Sequence, residues 1–317
     1  MKALVTGATG FIGTAVTTAL ARRGHHVTAF SRGEPPSCFS PAVSSLKVAP
    51  LEDYDWAHCL EGIDVVFHFA WSTVPNSSNN DPPRDASENI VGTLRLLEAI
   101  RRSGKIRFVF PSSGGTVYGK LSTVPVDESH PTRPTCAYGV SKLAIEKYIS
   151  FYCQLGWLDG IALRISNPFG PRQIPSQSFG AVAQFIANAI KNEPITIYGD
   201  GSVIRDFLFI DDLAEAIVAA GEARGGYDVM NVGAGVGHSL MDVIAAIEAV
   251  LGRSLIVRHA PARNFDVPIS VLDISRARAV LNWGPRVPFR DGIGATLNSL
   301  MSTQTKPDRA DSHYRRA

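Results

Sequence analysis

The sequence predicts an α/β chain built on a doubly wound parallel sheet, with a smaller mixed α/β lobe toward the C-terminus. Three observations carry this. Apolar runs alternate with helical patterns through the first two-thirds of the 317 residues. A glycine-rich turn joins the first strand to the first helix, and the pattern turns irregular after about Pro171.

The runs KALVT, HVTAF, VVFHFA, IRFVFPSS and GIALRIS are apolar almost throughout, as strands covered on both faces must be. Between them, Ile12–Arg23, Ser87–Arg102 and Ala137–Gln154 read as helices. Strand–helix alternation means crossover connections, hence parallel strands with helices on both faces. Beyond Pro171, helix-like stretches at Ala181–Lys191, Leu213–Ala223 and Leu240–Leu251 are separated by the short strands ITIYG and LIVRH. The expected division is residues 1–170 for the dinucleotide-binding sheet and 171–301 for a substrate-binding lobe, some of whose strands return to the sheet. Residues 302–317, STQTKPDRADSHYRRA, are polar and nearly free of aliphatics. They bury too little to offset their ordering entropy and are expected to be disordered.

Composition excludes several function classes. Hydrophobic residues make up 45% of the chain, enough for a large core. Basic residues exceed acidic ones by 31 − 29 = 2, so there is no footprint for nucleic acid. No apolar stretch reaches the roughly 20 residues of a membrane span. Met1 and Lys2 run straight into Ala3–Val5 without the pattern of a secretory leader, so the expectation is a cytoplasmic protein with no membrane partner. Cys38, Cys59, Cys136 and Cys153 are scattered without a CxxC pair, which predicts neither a zinc site nor a disulfide framework.

KALVT leads directly into Gly7-Ala8-Thr9-Gly10-Phe11-Ile12-Gly13 and then a helix. Glycines at a strand–helix junction permit a tight turn and bring backbone N–H groups close to a pyrophosphate, which the helix N-terminus also attracts. This predicts a Rossmann-type nicotinamide-dinucleotide site. The second strand runs into Ser31-Arg32 where a carboxylate would hold the ribose 2′-hydroxyl of NAD. A hydroxyl and a guanidinium suit a 2′-phosphate, so NAD and NADP both stay open. Further on, Tyr138 and Lys142 stand at i and i+4 on a helix face. A cation beside a phenol lowers its pKa by roughly 1–3 units, which would equip Tyr138 for proton transfer near neutral pH.

With these motifs the chain resembles the extended short-chain dehydrogenase/reductases, within them the nucleotide-sugar epimerase/dehydratase family, and looks most like its UDP-glucose 4-epimerases. The resemblance runs from about Met1 to Gly294. It rests on the GxxGxxG loop, His68-Phe69-Ala70, Asn89 in ENIVGTLRLLEA, Ser112-Ser113-Gly114-Gly115-Thr116-Val117-Tyr118-Gly119, and Tyr138/Lys142. Arg164-Ile-Ser-Asn167-Pro-Phe-Gly170-Pro171, Gly199 to Phe207, and Pro261 to Pro268 complete it. It implies that Gly7, Gly10, Phe11, Ile12 and Gly13 hold the pyrophosphate, with Ser31, Arg32, Leu51, Ala70, Asn89 and Ser112 along the cofactor. Tyr138 would be the acid/base and Lys142 would bind the nicotinamide ribose. Asn167, Arg205, Arg263 and Asp266 would grip the substrate's nucleoside diphosphate, a role suited to guanidinium forks and a ribose-binding carboxylate.

The chain departs from the family pattern at three places. The position expected to carry a catalytic Ser or Thr is Gly114; Thr116 or Ser113 is expected to supply the hydroxyl instead. Ser31 replaces the acidic end of the second strand, and Pro50 stands where an Asp usually lies near the adenine. Gly115-Thr116 also replaces the Asp-Glu pair of the dehydratases. The resemblance thus implies 4-epimerisation of a nucleotide-linked sugar, such as a UDP-hexose, through a 4-keto intermediate. The alternative is an NADPH-dependent reductase of a nucleotide-linked 4-keto-sugar. The family implies a homodimer, and the helical stretches at Ser87–Arg102 and Ala137–Gln154 are the candidate contact.

Overall fold

The computed structural model describes residues 1–41, 43–47, 54, 56–175, 180–225, 228–262 and 267–304. The chain opens with β1 (Lys2–Thr6), α1 (Phe11–Arg22), β2 (His26–Ser31), β3 (Val43–Lys47) and β4 (Val65–His68). Two short helices, α2 (Pro75–Ser78) and α3 (Pro82–Asp85), lead through a π-helical turn at Ala86–Val91 into α4 (Gly92–Ser103). Then follow β5 (Arg107–Ser113), α5 (Ala137–Gln154), β6 (Asp159–Ile165), β7 (Asn167–Phe169), α6 (Ala181–Lys191), β8 (Ile195–Tyr198), β9 (Ile204–Phe209), α7 (Ile210–Glu222) and β10 (Asp228–Val232). The remainder is β11 (Gly237–Ser239), α8 (Leu240–Leu251), β12 (Val257–Ala260), β13 (Ile269–Ser270), α9 (Ser275–Leu281) and α10 (Phe289–Gln304).

Seven strands form one parallel sheet in the order β10-β6-β5-β4-β1-β2-β3. Side chains alternate across it. Ala3 and Val5 of β1 join a core with Val16 and Leu20 of α1 and with Leu213 and Ile217 of α7. Leu4 faces the other way, into a core with Leu96 and Ile100 of α4 and Ile145 and Ile149 of α5. Strand order reverses between β1 and β4, and the crevice beyond the C-terminal ends of strands at such a point is where α/β sheets bind ligands. In the C-terminal part, β9 pairs with β7, β11 and β13, while β8 pairs with β12.

Some boundaries differ from the sequence reading. The stretch Ser87–Arg102 is not one regular helix: its first turn is π-helical and turns Asn89 inward. β4 stops at His68, so Phe69 and Ala70 already belong to the loop above the sheet. α10 reaches Gln304, so Ser302 to Gln304 are helical; residues 305–317 lie outside the described residues.

Candidate functional site

A cavity of about 570 Å³ opens above the switch point. Its walls bring together Gly7, Gly10, Phe11, Ile12 and Gly13 with Ser112, Ser113, Thr116, Tyr138, Lys142, Asn167 and Arg205. These positions lie far apart in sequence, and the parallel topology places them at one edge because β1, β5 and β6 end there.

The glycine wall is shaped by close backbone approach. Gly7 has φ +65°, and a Cβ on it would stand 2.7 Å from Ala70 N. A Cβ on Gly13 would stand 2.2 Å from Gly7 O. Any side chain at either position would push the loop apart. α1 begins immediately after Gly10, with no acidic residue in its first turn. The first helical bond, Thr14 N to Gly10 O at 2.8 Å, leaves the preceding N–H groups for an anion. The cradle and its donors fit a dinucleotide pyrophosphate.

A directed chain of hydrogen bonds fixes the Gly7–Ala70 contact from below. Thr93 Oγ1 donates to Asn89 O, so it must accept from His68 Nε2 at 2.9 Å. That makes Nδ1 of neutral His68 the acceptor of the Thr6 hydroxyl at 2.8 Å, and Thr6 Oγ1 in turn accepts from Ala70 N at 3.2 Å. Burial, with the charge of Lys142 nearby, pushes His68 down to about 3.

α5 is started by groups from α2 and the residue after it. Asn79 Oδ1 accepts from Ala137 N at 2.9 Å, and Ser78 Oγ accepts from Tyr138 N at 3.0 Å. These bonds satisfy first-turn donors and set the Tyr138 side chain at the cavity wall. Lys142 does not sit on the Tyr138 hydroxyl. Its Nζ donates to Pro111 O at 2.9 Å and lies 3.6 Å from the centroid of the Trp71 ring, against 5.5 Å from that of Tyr138. The lowered tyrosine expected from the sequence is therefore corrected. Desolvation, then Cys136 and Asp85, raise the Tyr138 phenol above its ordinary value. Burial holds Lys142 well below the usual ammonium range, against the pull of Asp85 and Glu146.

The three hydroxyls of the β5 turn are used differently. Ser112 is buried and its Oγ donates to Glu146, which Arg164 holds at 2.7 Å, so that hydroxyl is spent away from the cavity. Ser113 lines the cavity. Thr116 Oγ1 is buried at the same wall and meets no hydrogen-bond partner among the described residues.

Other expected residues are placed as follows. Asn89 braces the loop above β4: its Oδ1 accepts from Ser72 N at 2.9 Å and its Nδ2 donates to Asp85 at 3.0 Å, so its amide is engaged away from the cavity. Ala70 backs the glycine wall through its main chain. Ser31 is buried with its hydroxyl on Gly33 O, Arg32 is exposed at the end of β2, and neither lines the cavity. Asn167 Nδ2 donates to Asp206 O at 3.1 Å, and Arg205 Nη1 donates to Val267 O at 2.6 Å. Leu51, Arg263 and Asp266 lie outside the described residues. Sequence reasoning missed Trp71 and Gln173, both in the cavity wall. Gln173 is only 3% exposed and its Oε1 meets no donor among the described residues. An aromatic residue directly after the HFA run at the switch point was the available signal for Trp71.

Residues 3–233 match the family described as NAD dependent epimerase/dehydratase. The chain is 38% identical over 305 residues to a UDP-glucose 4-epimerase of Mycolicibacterium smegmatis, covering 94% of this chain and 97% of that protein. It is 32% identical over 310 residues to a dTDP-4-dehydro-6-deoxyglucose reductase of Escherichia coli, covering 94% and 96%. Among solved structures it is similar to a Thermus thermophilus UDP-glucose 4-epimerase in complex with NAD, with a TM-score of 0.87, 33% identity and 95% and 99% coverage.

Proposed function

The chain belongs to the NAD dependent epimerase/dehydratase family, and from that premise we propose that it is a nucleotide-sugar 4-epimerase acting on a UDP-linked hexose through a 4-keto intermediate. The observation that carries the reading is the convergence of Tyr138, Lys142 and the Thr116 hydroxyl, which has no partner among the described residues, on the cavity that the glycine cradle borders. A nicotinamide dinucleotide held by Gly7, Gly10 and the first turn of α1 supplies a hydride acceptor and donor.

The side chains do the rest. Tyr138 takes the proton of the sugar's C4 hydroxyl and later returns it. A phenol raised by desolvation starts protonated, so a positive charge brought close to it is what makes it a base. Asp85 and Glu146 favour the protonated form of Lys142, which provides one such charge. The Thr116 hydroxyl donates to the sugar oxygen as it becomes a ketone. Asn167 and Arg205, with Arg263 and Asp266, hold the nucleoside diphosphate, and residues 171–301 supply most of that grip. Net chemistry is inversion at C4.

We assign NAD as the retained cofactor, since an epimerase regenerates it in each turnover. The exposed Arg32, following Ser31 where a carboxylate would select NAD, favours a second reading: a reductase that exchanges NADPH and reduces a nucleotide-linked 4-keto-sugar. The similarity to the Escherichia coli reductase supports that alternative. The outer face of α5 exposes Val140 and Phe151, consistent with a homodimer. No helix among the described residues is long and apolar enough to cross a membrane, and we assign the enzyme to the cytoplasm.

The test is to denature the purified chain and identify the released cofactor by absorbance and mass, then to offer UDP-galactose without added cofactor. Retained NAD and conversion to UDP-glucose are expected. Tyr138→Phe should lower turnover by ~10²–10⁴, the usual contribution of positioned proton transfer. No interconversion, with NADPH consumed on a 4-keto-sugar nucleotide, would replace this reading by the reductase.

A further inference from the structure

Trp71 touches both members of the acid–base pair. The Lys142 ammonium stands 3.6 Å from the centroid of its ring, and the Tyr138 ring meets the indole edge-on with centroids 6.1 Å apart. Phe110 backs the arrangement, 4.7 Å from the ammonium and 5.8 Å from the indole. The Trp71 main chain is pinned on both sides, by Thr6 at Ala70 N and by Asn89 at Ser72 N. Its indole N–H is buried and meets no acceptor among the described residues. A buried tryptophan usually finds a partner for that group. Here the ring is engaged through its face.

We propose that Trp71 is a positioning residue for the epimerase chemistry, its π face being the seat that holds the Lys142 ammonium at the cavity wall between Pro111 and Tyr138. The inference rests on the assignment of Tyr138 and Lys142 as the acid–base pair. The indole ring brings no charge to the pair. A carboxylate beside Lys142 would also hold the cation, but its negative charge would oppose ionisation of the neighbouring phenol. A ring face attracts the cation without carrying charge.

The charged and titratable groups around Lys142 are already committed. Asp85, from α3, accepts from Ser141, Thr73 and Asn89. Glu146, one turn along α5, is paired with Arg164 and bonded by Ser112. His68, from β4, is neutral, and Tyr138 is held as the phenol. The indole is therefore the uncharged support that works with Asp85 and Glu146 against the burial of the ammonium.

The test reads the ammonium directly, by NMR of the purified chain carrying lysine labelled with ¹³C at Cε. The Lys142 signal is assigned by its loss in Lys142→Arg. In the native chain it should be displaced upfield by the indole ring current. In Trp71→Leu the displacement should vanish and the titration midpoint should fall by about one pH unit, the worth of a desolvated cation–π contact. Trp71→Phe keeps a smaller ring and should fall between. An unchanged midpoint and shift in either folded variant overturns the proposal; if Trp71→Leu does not fold, Trp71→Phe decides. Because the readout is independent of turnover, it stands or fails separately from the epimerase assignment.

Discussion

Leu272 fills the space beside Gly114: a Cβ on Gly114 would stand 2.7 Å from Leu272 Cδ1 and 3.2 Å from Arg164 O. The hydroxyl missing at this position is thus matched by an apolar side chain, from a segment that pairs with Val126. Gly114 N also donates to Ile165 O at 2.8 Å, which fixes the turn against β6. Gly114→Ser should therefore be resisted by packing and lose ~1–3 kcal/mol of stability, as overpacked sites do. Leu272→Ala makes the room, so the double variant should cost less than the sum of the two single ones. Denaturant melts of the four proteins measure this; additive losses would show that the two side chains do not compete.

Thr116 should carry the hydroxyl that position 114 lacks. Its Oγ1 is buried without a partner among the described residues, whereas that of Ser112 is committed to Glu146. Thr116→Val keeps the shape and removes an unsatisfied polar atom, so the melting temperature should hold or rise. Turnover should fall by ~10²–10³, the usual loss for an oxyanion-type donor. Ser113→Ala, assayed beside it, should cost much less. Equal turnover for Thr116→Val and the native chain would remove this hydroxyl from the reaction.

The parts of the fold that were legible are those whose residues are fixed by one environment. β1 is buried on both faces and reads directly from KALVT, and the bounds of α5, α6 and α8 follow their apolar periodicity. Within the large sheet, the strands without a clear signal are β3 and β10, its two outermost. An edge strand needs one neighbour and tolerates polar residues such as Ser44 and Asp228, while the buried Asn231 of β10 is satisfied by Tyr118, Val126 O and Asp273 O. Within the site, the glycine loop, Tyr138, Lys142, Asn167 and Arg205 converge as their motifs imply. Ser112 lines the cavity but its hydroxyl is taken by Glu146, which Arg164 holds, and the π-turn carries the Asn89 amide inward to Ser72 and Asp85. That redirection depends on partners remote in sequence, which no local spacing encodes. A single aromatic such as Trp71 reads as ordinary core until its neighbour Lys142 is in view.

The chain should be a dimer whose contact includes the outer face of α5. Val140 is 52% exposed and Phe151 48%, while Ile145 and Ile149 on the opposite face are fully buried. Apolar side chains on both faces of a helix ask for a second cover. Light scattering at micromolar concentration should give twice the chain mass of 34.1 kDa. Val140→Glu combined with Phe151→Glu should return the mass to that of one chain with unchanged circular dichroism. A native chain that already scatters as a monomer would rule out the dimer.

Acid should destabilise the protein through His68, in a window separate from that of the carboxylates. His68 is fully buried, neutral, and bonded at both nitrogens by threonines, with its folded pKa at about 3. In the unfolded chain it titrates near ~6.5. Below that value the unfolded state binds a proton that the folded state refuses, so stability present above pH ~6.5 is lost as the pH falls toward 3. The slope is about 1.4 kcal/mol per pH unit, or about 2 kcal/mol by pH 5. Carboxylates held low by partners, such as Asp242 capping α8, act below their ordinary value, at more acidic pH. His68→Gln keeps a donor and an acceptor but cannot take up the proton. It should start less stable at pH 7, yet its stability should fall less steeply between pH 6.5 and 5 than that of the native chain, the remaining slope coming from His238 and Lys142, which burial also lowers. Urea melts at half-unit pH steps compare the two slopes, and equal slopes would mean that some other group governs acid unfolding.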